Sequence, residues 1–279
     1  MAPPSDDLKL LGSWASSYTH RVQLALKLKG LAFEYAEEDL ADKSPSLLLH
    51  NPVYKKVPVL LHRGRPVLES VIILHYLDET WPDVPLVPAD PYDRALARFW
   101  CHFVDDKVTR SHASLRDLGP AVGAVFASPS EGQAAAVEQV HENLRLVERE
   151  LREGAFAGRR FFGGEKIGVL DIVLGCGSYW LAVFEDVMEV KLVDPEAFPL
   201  FHSWLWDFEQ QEEVTAIIPA IDRLLEYARG IRQMMLGLSL SSSDDAVAAA
   251  LLKEDCIIVW VLRAKCIMDV SFEPWFERV

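Results

Sequence analysis

Four prolines in ten residues, Pro82, Pro85, Pro88 and Pro91, constrain the fold of this chain more than any other feature. Proline fixes φ and has no N–H to donate, so neither a helix nor a central strand runs through such a stretch. It reads as a stiff linker. The two sides of it differ in kind. Before it, short apolar runs alternate with helical patterns. After it the strand signal fades and helices dominate. A chain of 279 residues also exceeds what one core usually covers. The predicted organisation is a mixed α/β domain over 1–81, a linker over 82–91, an all-helical domain over 92–237, and an atypical C-terminal extension of undetermined order over 238–279.

Within the first part, residues 8–11 form an apolar run suited to a short buried strand. A helix follows over about 17–29, with Val22, Ala25 and Leu26 on one face and Gly30 as its stop. Residues 33–37 read as a second strand, and 44–50 as a short helix entered through Ser44-Pro45. Residues 59–62 and 66–68 flank Arg63-Gly64-Arg65, a hairpin turn centred on glycine. Residues 70–81 are helical and apolar nearly all round, which predicts burial on more than one side. The order is βαβ-(α)-ββα, a thioredoxin-like unit whose final hairpin is antiparallel. Beyond the linker, helices break at Ser128-Pro129-Ser130, Gly163-Gly164, Asp194-Pro195 and Pro219, and Asp171 is predicted to cap the helix that begins near it.

Charge narrows the set of partners. The net charge is −14, with nine Lys/Arg against ten Asp/Glu in residues 1–81 and the acidic excess concentrated beyond them. An acidic protein repels nucleic acid and anionic membrane surfaces, so neither is expected as a partner. An anionic ligand is better received in the near-neutral first part, where Lys43, Lys55 and Lys56 lie close in sequence. The first residues carry neither a basic n-region nor an apolar h-region, and no uncharged apolar stretch approaches the ~20 residues that span a bilayer. The four cysteines, Cys101, Cys176, Cys256 and Cys266, have no paired or zinc-binding spacing. They read as reduced thiols of a cytoplasmic protein, and no metal is implied.

The first part also carries a set of polar elements in order: Trp14-Ala15-Ser16-Ser17-Tyr18, Lys43-Ser44-Pro45, Lys55-Lys56-Val57-Pro58-Val59 and Glu69-Ser70. They supply a hydroxyl at a helix mouth, two cationic sites, a Val-Pro turn and an acid–hydroxyl pair. Together these are the partners needed by a small anionic peptide bearing a thiol, two carboxylates and an ammonium.

With Glu37-Glu38-Asp39-Leu40, Asn51-Pro52-Val53, Phe99-Trp100, Phe162-Gly163-Gly164 and residues 168–172, these strings make residues 8–236 resemble a cytosolic glutathione transferase of the plant tau class. The resemblance implies a thioredoxin-like domain followed by a helical one, a homodimer, and conjugation of glutathione to hydrophobic electrophiles in detoxification. Side activity on organic hydroperoxides is a further implication. It also implies an electrophile pocket between the domains, walled by Trp14, Tyr18, Thr109 and Trp180. Plain core packing is the alternative for Trp180, beside Tyr179 and Phe184.

The chemistry follows from the ligand. A free thiol has a pKa of about 8.5, so little of it is thiolate at neutral pH. A hydroxyl donating to the sulfur and the N–H groups of a helix N-terminus both favour the charged form. Ser16 is the candidate catalytic donor, with a purely N-capping role as its alternative. Ser17 stands where the class commonly has proline, which leaves two adjacent hydroxyls. No cysteine lies in residues 1–100, so disulfide exchange through the protein is not expected. Glu69 suits the γ-glutamyl ammonium, and Ser70 with its helix N-terminus suits the α-carboxylate. Lys43 and Lys56 suit the glycyl carboxylate. By resemblance, a cis bond at Val57-Pro58 turns the Val57 backbone toward the ligand's cysteinyl peptide.

Within the tail, residues 256–262 are uncharged, β-prone and sticky, a composition that favours aggregation over function. A second reading of the whole chain is a non-catalytic carrier of apolar metabolites on the same fold. The intact Lys, Pro and Glu-Ser set favours the enzyme.

Overall fold

The structure is a computed structural model that describes residues 7–105, 118–128 and 130–235. Thr109 and the extension over 238–279 lie outside the described residues. The first part runs β1 (Leu8–Gly12), α1 (Ser17–Leu28), β2 (Glu34–Glu37), α2 (Pro45–His50), β3 (Val59–His62), β4 (Arg65–Leu68) and α3 (Ser70–Thr80), in the predicted order. The sheet order is β2-β1-β3-β4, with β1 parallel to β2 and the other pairs antiparallel. Helix α1 is the crossover that a parallel pair requires. Between β3 and β4, Arg63 and Gly64 both take left-handed backbone (φ 53° and 71°), the geometry that matches strand twist in a tight hairpin.

Side-chain alternation divides the sheet between two cores. Leu8, Leu10 and Leu60 join the larger one, with Val22 and Leu26 of α1 and Ile73, Leu74 and Leu77 of α3. Leu11, Val59 and Leu61 point the other way, onto Leu47 of α2 and Val57.

The second part is helical, as predicted: α4 (Pro91–Asp105), α5 (Leu118–Ala127), α6 (Ser130–Glu153), α7 (Val169–Gly175), α8 (Ser178–Met188), α9 (Pro199–Glu209), α10 (Glu212–Thr215) and α11 (Ile221–Met235). The larger core runs into it without a break, through Trp100, Phe126, Phe184 and Phe208. The proline-rich segment is tied down to the first part. Lys29 Nζ, almost fully buried, donates to Asp78 Oδ1 at 2.9 Å, to the Trp81 carbonyl at 2.9 Å and to the Val84 carbonyl at 2.7 Å. The same Asp78 carboxylate accepts from Leu86 N–H and Val87 N–H.

Two expectations need correction. Helix α3 is not buried on more than one side, because Ile72 is 59% exposed while Ile73, Leu74 and Leu77 face the core. The helix so buried is α1, in which eight of twelve residues are buried, Thr19, His20 and Arg21 among them. It lies between the sheet and the helical part, so both its apolar and its polar faces are covered. Asp171 is also not the cap residue. It sits in the first turn of α7 and reaches back, its carboxylate accepting from the N–H groups of Phe162, Gly163 and Gly168 and from Trp204 Nε1, all at 2.8–2.9 Å. Burial pushes this carboxyl up from its ordinary range, and the four donors pull it back toward the ionised form.

Candidate active site

Strand register brings the separated polar elements to one end of the sheet. Gly12 pairs with Glu37, Leu11 with Val59, and Val59 with Leu68. The exits of β1, β2 and β4 and the entrance of β3 are therefore neighbours. Ser16 follows the first exit, Lys43 lies in the segment after the second, Lys56-Val57-Pro58 precedes the entrance, and Glu69-Ser70 follows the last.

Ser16 is the N-cap of α1, its backbone extended and its Oγ accepting from Thr19 N–H at 3.3 Å. The capping alternative is thus part of its geometry. A hydroxyl that accepts from a backbone N–H retains its own proton for donation, so the capping and thiol-binding roles are compatible. The residue is 4% exposed. Ser17 opens the helix and is also buried.

Residues 13–16 are held from several directions. Ser13 N–H donates to Thr19 Oγ1 at 3.2 Å, and Ser16 N–H to the Ser13 carbonyl at 3.0 Å. From the sheet, Glu37 accepts from Trp14 N–H at 3.0 Å and from the Tyr35 hydroxyl at 2.7 Å. From the helical part, Trp180 Nε1 donates to the Ala15 carbonyl at 3.2 Å. The Trp14 ring packs edge-on against Tyr227 of α11, with the Arg223 guanidinium 3.6 Å from its centroid.

The peptide between Val57 and Pro58 is cis, and both residues are buried. Lys43 and Lys56 are half-buried and Lys55 is exposed. Glu69, half-buried, takes a left-handed φ of 69° just before α3. Such backbone is uncommon for a residue with a side chain and must be held by its surroundings. Ser70 is buried at the start of α3, and its Oγ accepts from Arg21 Nη1 at 3.4 Å.

Arg21 escaped sequence reasoning. Burial alone would lower its pKa, but Asp105, at 2.7 Å, outweighs that and keeps the guanidinium charged. Its second nitrogen donates to the Val173 carbonyl at 2.8 Å. A fixed positive charge therefore lies directly behind the Ser70 hydroxyl, at the mouth of a helix, an arrangement suited to an anion. An arginine on the apolar stripe of α1, four residues before Ala25, was the available signal. The Tyr18 ring packs against this guanidinium, 4.7 Å from Cζ to centroid. Trp180 is packed among Tyr179, Phe184 and Tyr227 against the Ser16 segment, which combines core packing with a place at the junction.

Among the described residues, neither thiol lies in the Ser16 segment. Cys101 and Cys176 are buried, and burial pushes both up to about 12. No described helix is long and apolar enough to cross a membrane.

Known proteins resemble this chain in sequence and in fold. Residues 6–79 match the family model described as glutathione S-transferase, N-terminal domain. "Glutathione transferase GST 23" of Zea mays is 43% identical over 230 residues, 82% of this chain and 97% of that relative. "Glutathione S-transferase U7" of Arabidopsis thaliana is 38% identical over 86% of this chain and 97% of its own length. Among solved structures, the tau class glutathione S-transferase of mango, Mangifera indica, superposes with a TM-score of 0.73 at 40% identity, covering 81% of this chain and 98% of that one. Rice GST1, solved in complex with glutathione, gives 0.72 at 34% identity, over 83% and 98%. From the register, the site and these likenesses together, the chain belongs to the glutathione S-transferase family, and within it to the plant tau class.

Proposed function

We propose that Ser16 is the catalytic residue, and that its hydroxyl donates to the sulfur of bound glutathione and holds it as thiolate. One observation carries this reading: Ser16 Oγ lies at the N-terminus of α1, at the sheet end shared with Val57-Pro58 and Glu69-Ser70. The thiol proton leaves to solvent, and the Ser16 O–H and the helix N-terminus stabilise the negative sulfur that remains. A shift of ~2 units corresponds to roughly 2.7 kcal/mol, within reach of one charge-assisted hydrogen bond plus a helix terminus. The sulfur then attacks an electrophilic carbon. A C–S bond forms and either a leaving group departs with its electron pair or, in addition, the adjacent carbanion takes a proton.

Around it, Glu69 pairs with the γ-glutamyl ammonium, and Ser70, backed by Arg21, holds the α-carboxylate. The Val57 backbone, presented by Pro58, meets the cysteinyl peptide, and Lys43 and Lys56 receive the glycyl carboxylate. A hydrophobic electrophile lies against Trp14, Tyr18 and Trp180 at the junction of the two parts, with Thr109 as a further wall. The chain divides into a glutathione-binding domain over 1–81, a linker over 82–91, a helical domain over 92–237 and the extension over 238–279. It works in the cytoplasm as a homodimer. With an organic hydroperoxide, the same thiolate attacks the O–O bond and releases the alcohol. The resulting sulfenic acid reacts with a second glutathione to give the disulfide and water.

Steady-state kinetics with an aryl halide test the assignment. Ser16→Ala is expected to lower kcat by about a hundredfold while the KM for glutathione changes only a few-fold, since the hydroxyl acts on the thiolate. Full turnover in that variant at pH 6.5 would remove Ser16 from the mechanism.

A further inference from the structure

Two consecutive residues on the first turn of α8 reach the segment that carries Ser16, one directly and one through His20. Trp180 donates its indole N–H to the Ala15 carbonyl directly. Tyr179 acts through His20, since its hydroxyl pairs with His20 Nδ1 and the His20 ring donates to the Trp14 backbone. We propose that Tyr179 and Trp180 are positioning residues, and that by holding the Trp14 and Ala15 carbonyls they fix the direction in which the Ser16 hydroxyl points. The proposal rests on the reading of Ser16 as thiol donor.

Three physical points support it. First, His20 is buried at 2% exposure, and burial lowers its pKa to about 4, so it is neutral at working pH. A neutral imidazole has one N–H. With that proton given to the Trp14 carbonyl, the Tyr179 hydroxyl is the donor to Nδ1, and the chain from Tyr179 to the backbone has one direction. Second, α8 reaches the segment at both positions, Trp180 on the Ala15 carbonyl and Tyr179 on the His20 ring that serves Trp14, while the segment's other bonds come from within the first part. Ser13 and Ser16 are tied to α1 and to each other, and Trp14 N–H is tied to Glu37. Third, a hydroxyl that stabilises a thiolate must be held to within about 0.5 Å and 10–20°, which a four-residue loop achieves only through its neighbours. Charged groups at the same segment are Glu37, below Trp14 N–H, and Arg223, over the Trp14 ring.

Tyr179→Phe and Trp180→Phe each remove the donor and keep an aromatic ring, so both variants are expected to fold. The reading is the acid limb of kcat/KM for the electrophile against pH at saturating glutathione, which reports the thiol of bound glutathione and which a loss of packing alone would not move. Each variant is expected to shift that limb upward by about half a pH unit, roughly a twofold loss of rate at pH 6.5, with the glutathione KM within about twofold. The double variant is expected to shift it further than either single one, though not by their sum, because the two rings are neighbours and act on one segment. A limb unmoved in both single variants overturns the proposal, even if their melting temperatures fall. Ser16→Ala, run in parallel, separates the two claims. If it shifts the limb and the α8 variants do not, only the positioning role fails. If it leaves the limb in place, the serine assignment fails and the positioning role falls with it.

Discussion

At Ser16 one oxygen accepts from Thr19 N–H to close the first turn of α1, and its proton remains to be given outward. Truncation to alanine therefore removes a cap, worth about 1 kcal/mol, along with the proposed thiol contact. Activity of that variant is best compared well below its melting temperature. The neighbouring hydroxyl is the control. Ser17 is buried at the first helical position and the cap hydrogen bond belongs to Ser16, so Ser17→Ala is expected to keep kcat within about twofold of the parent. A loss as large as that of Ser16→Ala would move the assignment one residue on. The residues with a short local signature were legible in the sequence: Ser16 before a helix, Ser44 before Pro45, Pro58 before a strand, Gly30 after a helix. Arg21 and Asp105 were not, because they are 84 residues apart and nothing in either's neighbourhood announces the other.

Helix α1 is the element on which the site turns. Its N-terminus holds Ser16, Arg21 on its flank backs Ser70, and His20 reaches Tyr179 of α8. Periodicity identified its apolar stripe and its limits, but it gave no sign that the polar residues between are buried. They are buried because the helical part covers that side, and no local pattern encodes that. The same burial has a pH consequence. The folded-state pKa of His20 is lowered to about 4, against about 6.5 unfolded, so between those values the unfolded chain binds the extra proton. Stability from this group is complete above pH 6.5 and is lost as pH falls toward 4, by roughly 3 kcal/mol in all. Denaturant titrations at a series of pH values are expected to show the parent losing more stability over that window than His20→Gln. Parallel slopes in the two proteins would mean that the ring is not held neutral.

For the whole molecule, apolar exposure points to assembly. Leu49, Val53 and Tyr54 beside α2, with Ile72, Tyr92 and Phe99 on α3 and α4, are 57–75% exposed. The homodimer proposed above would cover part of this exposed apolar surface, and a second copy is the commonest partner of a soluble chain. Sedimentation is expected to give a mass near twice the 31.4 kDa chain, and Leu49→Glu or Phe99→Glu to raise the monomer fraction. A parent that stays at the single-chain mass at micromolar concentration would rule the homodimer out. The two-part architecture was legible from the proline cluster alone. The clasp that ties the linker to the first part, Lys29 on Asp78 and on the Trp81 and Val84 carbonyls, was not, because a lone lysine near a helix end reads as solvated.

The most direct measurement is a spectroscopic titration of glutathione bound to the protein, following the ultraviolet absorbance of the thiolate. In the parent the apparent pKa is expected about 2 units below the free thiol's value of about 8.5, and in Ser16→Ala it returns most of the way. Equal values in the two proteins, with glutathione bound to both, would contradict the central claim.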